Sequence, residues 1–401
     1  MLVADTDLDP NAIARLRLDT PGLDGATFLN SAGSSLPSRA VIEAQVGHLA
    51  LEAQVGGYRA AELAADRLAD TRAAAAALVG AAPDEIALMG SATDAWRQAF
   101  YGHAFAPDDV ILTARATYGS NAIAMLQVAQ RSGARIEVIP DDADGVADVA
   151  WLEVRLARAP ARLIALTHVP TGEGLVNPAE AVGQVARAAG VPVLLDACQS
   201  VGQRVLDVDA LGCDMLTATG RKFLRGPRGT GFLYVRRAYQ ASFEPPMLDN
   251  TSARWVADDR YEVVAGARRY EQFEGAIAAR IGLGVAIRAL LDLGPAAVER
   301  RITALAADLR RQLGAIDGVT VHDRGRVRCG IVTFSVADRP AAQVKAALRE
   351  SGVELSVSEV SSYRMGMAHR GLEAVVRASP HAFNNTADLA RCVESVAAIG
   401  R

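Results

Sequence analysis

A lysine stands just after a buried strand-like run in TATGRKFLRGPRGTGFLYV, residues 217–235. An ammonium is expensive to bury unless it has a partner or a task. Lys222, set between that run and a Gly-Pro-x-Gly-x-Gly turn, is therefore a candidate for chemistry. A second run, VLLDACQS, ends in Asp196 and, three residues on, Gln199. A carboxylate at the C-terminal end of a strand lies on the side where open α/β sheets bind their ligands. Upstream, MGSATDAWRQAF (89–100) places Gly90, Ser91, Ala92 and Thr93 between a strand and the start of a helix. Small residues, a hydroxyl and free backbone N–H groups at a helix N-terminus make an anion site, and phosphate is its natural occupant. Each feature has a plainer reading: a surface lysine in a turn for Lys222, a helix cap for Asp196. Their occurrence together, in this order, favours the chemical reading.

Such residues need a sheet to hold them. Apolar runs of strand length recur at 85–90, 109–114, 134–140, 162–169, 191–197, 214–220 and 230–235, with little alternation. Strands buried on both faces have this pattern. Ala-rich amphipathic segments lie between them, as at 60–81 and 178–190. The succession predicts an α/β sheet covered by helices. TGFLYV follows DMLTATG with no room for a helix, so at least one neighbouring pair is expected to be antiparallel. From about residue 275 two long helical patterns lead into GVTVHD, CGIVTFSV, a helix at 340–351 and a last helix from Thr386. We divide the chain into an N-terminal segment packing with the small domain (1–25), a large domain (26–274) and a small α+β C-terminal domain (275–401). The stretch from Ser242 to Arg269 reads as irregular, and loops of that length are functional or mobile.

Composition narrows the class. Of 401 residues, 50% are hydrophobic and 22% charged, which excludes global disorder. Basic residues number 42 against 46 acidic, a net −4 that gives no reason to expect nucleic acid. The four cysteines have no paired spacing, which argues against a disulfide scaffold or a zinc ribbon. The six histidines form no metal-ligand spacing, so no metal is expected. His168, in THVP, reads as a structural histidine rather than an acid–base group. The acidic N-terminus lacks a signal-peptide pattern and no run approaches a membrane span, so we expect no membrane and a cytoplasmic location.

The Ser-Ala-Thr turn, the aromatic in ATYGSN, the strand-end Asp-x-x-Gln, and the Lys with its Gly-Pro-x-Gly together resemble the class V aminotransferase family. The resemblance runs from FLNSAGSSLP (28–37) to VRASPHAFNNTADL (376–389). That family comprises fold-type I enzymes using pyridoxal 5′-phosphate (PLP), among them cysteine desulfurases, isopenicillin N epimerases and C–S lyases. The resemblance implies a mostly parallel seven-stranded sheet covered by helices in the large domain. It also implies a homodimer with its sites near the subunit interface. It makes Lys222 the Schiff-base lysine that later moves the Cα proton, and Asp196 the partner of the pyridine nitrogen. Gln199 takes the phenolic oxygen, and Tyr118 stacks where a histidine is frequent. Ser91, Ala92, Thr93 and Thr219 take the phosphate, with Arg221 replacing a histidine beside it. Arg377 takes the substrate α-carboxylate, with Ala32 and Gly33 also at the substrate.

Three departures matter. Desulfurases carry a nucleophilic cysteine on a loop before the VRAS-like segment, whereas residues 354–374 contain none. RRYEQFEGAIAARIGLGVAI (268–287) likewise resembles the epimerase and C–S lyase-like branch, so the expectation points away from a desulfurase. Thr171, in THVPTGEG, stands where an asparagine contact to the cofactor is frequent. Phe273-Glu274 stands where a partner subunit supplies Gly-Thr to the phosphate. Arg225 and Arg228, flanking Gly-Pro, read equally as receivers of an acidic substrate group and as solvated turn residues. An α-amino acid is the implied substrate, and β-elimination from a sulfur-substituted cysteine is the reaction we favour. Transamination, epimerisation and decarboxylation stay open, as does a non-catalytic binding or scaffold protein, against which the intact Lys222 and Asp196 argue.

Overall fold

The computed structural model describes residues 8–399; of the N-terminal segment proposed for 1–25, residues 1–7 lie outside it. Seven strands form the main sheet: β1 (Ile86–Met89), β2 (Val110–Ala114), β3 (Arg135–Ile139), β4 (Leu163–Thr167), β5 (Val193–Asp196), β6 (Met215–Thr219) and β7 (Gly231–Val235). Their order is β1-β7-β6-β5-β4-β2-β3. β7 is antiparallel to both neighbours, and every other pair is parallel. The missing helix between β6 and β7 explains the reversal, since a parallel return needs a crossover.

Alternate side chains of one strand enter two different cores. In β4, Ile164 and Leu166 join one cluster while Leu163 and Ala165 join another. β5 and β6 divide the same way, with Leu195 and Leu216 on one side and Leu194 and Met215 on the other. The period of two carries apolar residues to both faces, so the runs show no polar alternation. Helices α1 (Arg39–Val55), α2 (Ala65–Val79), α3 (Ala92–Tyr101), α4 (Gly119–Ser132) and α5 (Ala179–Ala188) belong to the flanking layers. In α5, a Cβ built on Gly183 would lie 2.0 Å from the Leu211 carbonyl oxygen, so glycine permits that close approach.

Helix α6 (Ile277–Leu293) opens the stretch assigned to the small domain, yet it packs against α1 and α2. Its Leu283, Ile287 and Leu290 belong to the main core. The change of core comes within α7 (Pro295–Leu313): Val298 and Ile302 still belong to the main core, whereas Leu305, Leu309 and Leu313 join the core of the second sheet. The main core thus extends past the boundary expected at residue 275, into the first turns of α7. The second sheet is antiparallel, with β8 (Val319–Val321), β9 (Val332–Val336), β10 (Ser356–Glu359) and β11 (Ala374–Ala378) in the order β8-β9-β11-β10. The sequence reading did not place β10 and β11. Within the stretch expected to be irregular, Ala253–Ala257 and Arg260–Val263 form an exposed hairpin.

Candidate active site

The C-terminal ends of β1, β2, β4, β5 and β6 open on one edge of the main sheet, as the parallel pairings and the doubly antiparallel β7 require. Loops leaving that edge bring Ser91, Ala92, Thr93, Tyr118, Thr171, Asp196, Gln199, Thr219, Arg221 and Lys222 around one pocket. Thr167, Val169 and Cys198 complete its lining.

Asp196 ends β5 and is buried. Its Oδ2 accepts from Asn121 Nδ2 at 2.7 Å, and its Oδ1 accepts from the Cys198 backbone N–H at 3.0 Å. Both oxygens are thus held in place. Lys222 follows β6, and burial lowers its amine to about 8; the nearby Arg221 and Arg377 push the same way, against Asp196 and Cys198. An amine in that range is a usable nucleophile and base near neutral pH. Ser91 caps α3 by accepting from the Asp94 N–H at 3.0 Å. The Ala92 and Thr93 N–H groups belong to the first helical turn, which has no intrahelical acceptors.

The second sheet supplies Arg377, from β11. Its Nη1 donates to Thr171 Oγ1 at 2.7 Å and to the Thr171 carbonyl at 3.1 Å, while its Nε is buried without a partner. Burial, helped by Arg221, lowers the guanidinium to about 10, still cationic at neutral pH. A buried cation with an unused donor is set for an anion. Gln199 Nε2 donates to the Ala32 carbonyl at 3.1 Å and to Thr171 Oγ1 at 3.4 Å, and its buried Oε1 has no partner. Arg221 donates to the Gly33 carbonyl. Ala32, Gly33, Thr171, Gln199, Arg221 and Arg377 are therefore one connected wall. Thr171, expected as a cofactor contact, lines the pocket and also accepts from Arg377.

Other candidates fall away. Arg225 is turned from the pocket: its guanidinium donates to Thr20 Oγ1 at 2.6 Å and to the Leu36 carbonyl at 2.9 Å, and lies 5.0 Å from the Phe383 ring centre. Arg228 is exposed. His168 is buried and pushed down to about 3, chiefly by burial, as suits a neutral structural histidine. Two residues were missed. Asn121 sits one helical turn after Tyr118 in ATYGSN, and that i, i+3 spacing was the available signal. Cys198, inside the Asp-x-x-Gln motif, faces the pocket; burial and then Asp196 hold its thiol well above the usual range.

Set against the cofactor implied above, these residues fit. A fixed carboxylate suits a pyridine nitrogen and Tyr118 suits its ring face. Lys222 suits a covalent link, and the α3 N-terminus with Thr219 suits a phosphate. The orphaned Gln199 Oε1 and Arg377 Nε leave polar atoms to be satisfied.

The family model Aminotransferase class-V matches residues 27–392. A probable cysteine desulfurase of Methanothermobacter thermautotrophicus is 26% identical over 96% of this chain and 98% of its own. A probable hercynylcysteine sulfoxide lyase of Mycobacterium tuberculosis is 31% identical over 96% of this chain and 92% of its own. The solved apo cysteine desulfurase of Thermococcus onnurineus NA1 superimposes with a TM-score of 0.89 at 25% identity, over 96% of this chain and 97% of that one. The expectation that pointed away from the desulfurases is not borne out, since proteins of that name match along nearly the whole chain. A motif missing from one loop weighs little against similarity of that extent.

Proposed function

The chain belongs to the class V aminotransferase family, and on that footing we propose that it is a PLP-dependent enzyme cleaving the carbon–sulfur bond of a cysteine-type amino acid by β-elimination. The observation that carries this reading is the meeting of Lys222, Asp196 and the incompletely paired Arg377 in one pocket. The names of the relatives support the substrate class, since desulfurases and a sulfoxide lyase both act on cysteine sulfur.

Asp196 and Gln199 would hold the cofactor ring, Tyr118 would cover its face, and Ser91, Ala92, Thr93, Thr219 and Arg221 would hold its phosphate. When bound, PLP supplies an electron sink for the pair left at Cα. Arg377 takes the substrate carboxylate in its fork and so fixes the Cα–H bond relative to Lys222. Lys222 Nζ, whose free-amine form is accessible near neutral pH because burial lowers it to about 8, removes the Cα proton. The sulfur group then departs from Cβ with the C–S electrons and takes up a proton, leaving an unsaturated amino acid that hydrolyses to pyruvate and ammonia.

Transfer of sulfur to an enzyme thiol is the second reading, and the desulfurase relatives favour it. Against it stands Cys198, the pocket-lining cysteine among the described residues, whose thiol is kept protonated and poorly nucleophilic. A homodimer suits both readings. It is supported by the exposed Ile42, Val46 and Leu49 on one face of α1, and by the exposed Met247, Trp255 and Phe273. Three measurements test the function. Added PLP should give a yellow protein whose colour borohydride traps and Lys222→Ala abolishes. Cystine and cysteine S-conjugates should yield pyruvate with ammonia. Alanine with sulfur left on the protein would replace elimination by sulfur transfer, and a colourless protein would end the enzyme reading.

A further inference from the structure

Two residues beyond Thr171, the Glu173 carboxylate is fully buried and surrounded by cations from the second half of the chain. Its Oε1 accepts from Arg324 Nε at 2.7 Å and from the Arg324 backbone N–H at 3.0 Å. Its Oε2 pairs with Arg370 Nη1 at 3.1 Å and accepts from the Tyr363 hydroxyl at 3.3 Å. A buried carboxylate is tolerated only when its oxygens are filled in this way. The arrangement ties the turn after β4 to residues 360–370, which contain the short helix α8 (Arg364–His369).

That segment also touches the pocket's surroundings. A Cβ on Gly172 would lie 2.9 Å from Tyr363 Cδ1 and 3.1 Å from Ser358 Oγ, so the turn and the segment approach backbone to side chain. A Cβ on Gly119 would lie 2.6 Å from the Ser361 carbonyl oxygen, next to Tyr118. Tyr363 and Met367 are buried, whereas Ser361, Arg364, Ala368 and His369 are exposed. The segment is thus half solvent-facing, and its seat combines an apolar cluster, in which Tyr363 and Met367 join Leu175 and Val375, with the ionic contacts to Glu173.

We propose that Glu173 is a positioning residue. Through Tyr363 and Arg370 it holds residues 360–370 as a fixed wall beside the pocket. Through the 171–173 turn it keeps Thr171, and hence the Arg377 guanidinium, in register for the substrate carboxylate. The second half of this inference rests on the function proposed above; the first half does not.

The test uses the full-length chain as Glu173→Gln and Arg370→Gln, each measured without cofactor by hydrogen exchange and with cofactor by steady-state kinetics. Removing one partner of a buried charge pair should raise exchange across 360–370 by about tenfold or more, and leave α2 and α6 unchanged. Trypsin should then cut after Arg364 in both variants, and also after Arg370 in Glu173→Gln, and spare the parent. In turnover, KM should rise ~10-fold with kcat nearly unchanged, the pattern of lost carboxylate positioning. Unchanged exchange at 360–370 in a folded variant, or a uniform rise over the whole chain, overturns the docking role. Increased local exchange with KM unchanged overturns the link to Arg377. Should Glu173→Gln fail to fold, Arg370→Gln decides, because Arg370 is partly exposed and, among the described residues, its other hydrogen bond goes to the His322 carbonyl. A protein inactive on every amino acid would defeat the function reading while leaving the exchange result standing.

Discussion

Asn121 donates its amide to Asp196 Oδ2 at 2.7 Å, across a gap of 75 residues between α4 and the end of β5. With the Cys198 N–H on the other oxygen, the carboxylate has one orientation. A hydrogen bond to a charged group contributes ~1.5–3 kcal/mol, so Asn121→Ala should weaken PLP retention and kcat by roughly 10- to 100-fold. Fluorescence titration with PLP checks the first, and the pH titration of the bound cofactor's colour should shift as well. Unaltered cofactor affinity in Asn121→Ala would show that Asp196 is oriented without it.

Lys222 carries a pH signature. Burial is the main cause of its lowered value, about 8, and the free amine is the form that captures an aldehyde. Capture of PLP by the cofactor-free protein should therefore rise about fivefold from pH 7 to pH 8 and flatten above that. Stopped-flow absorbance measures it. A rate still climbing steeply at pH 10, where an ordinary lysine titrates, would contradict the buried environment.

Arg377→Lys keeps the charge and loses the fork that bridges Thr171 and an incoming carboxylate. KM for the amino acid should rise ~10- to 100-fold, with a smaller change in kcat. An unchanged KM would remove Arg377 from the carboxylate site.

Cys198→Ala separates the two sulfur chemistries. The Cys198 thiol is held protonated by burial and by Asp196, so pyruvate formation should continue at close to the parent rate. Mass spectrometry of the parent after turnover should find no extra sulfur on this residue. A persulfide there, lost together with activity in the variant, would favour sulfur transfer.

Gly183→Ala tests the packing that carries the sheet. Alanine is the better helix former by ~1 kcal/mol, but its Cβ would meet the Leu211 carbonyl oxygen at 2.0 Å. The clash should dominate, lowering stability by about 1–3 kcal/mol in urea denaturation. A stabilised variant would mean that α5 shifts at little cost.

The seven strands, the flanking helices and the residues at the strand ends were legible from the sequence because their causes are local. Doubly buried strands show as unbroken apolar runs, and Lys222 and Asp196 stand out as charges placed directly after such runs. Family likeness along the chain supplied their proposed roles. The strands β10 and β11 were not read, although they seat Arg377: they are short, and β11 finds its partners, β9 and β10, in other parts of the chain.

Tertiary structure alone decided how the ends of those elements meet. Thr171 and Arg377 are 206 residues apart, and only the packing of the second sheet against the first makes them partners. Glu173 looks like an ordinary loop acid in THVPTGEG until Arg324, Tyr363 and Arg370 close over it. Cys198 reads as a bystander in its motif until the fold turns it into the pocket. The physical reason is common to all three. Whether a polar group is solvated, paired or orphaned depends on what is buried around it, and burial depends on contacts between residues far apart in the chain.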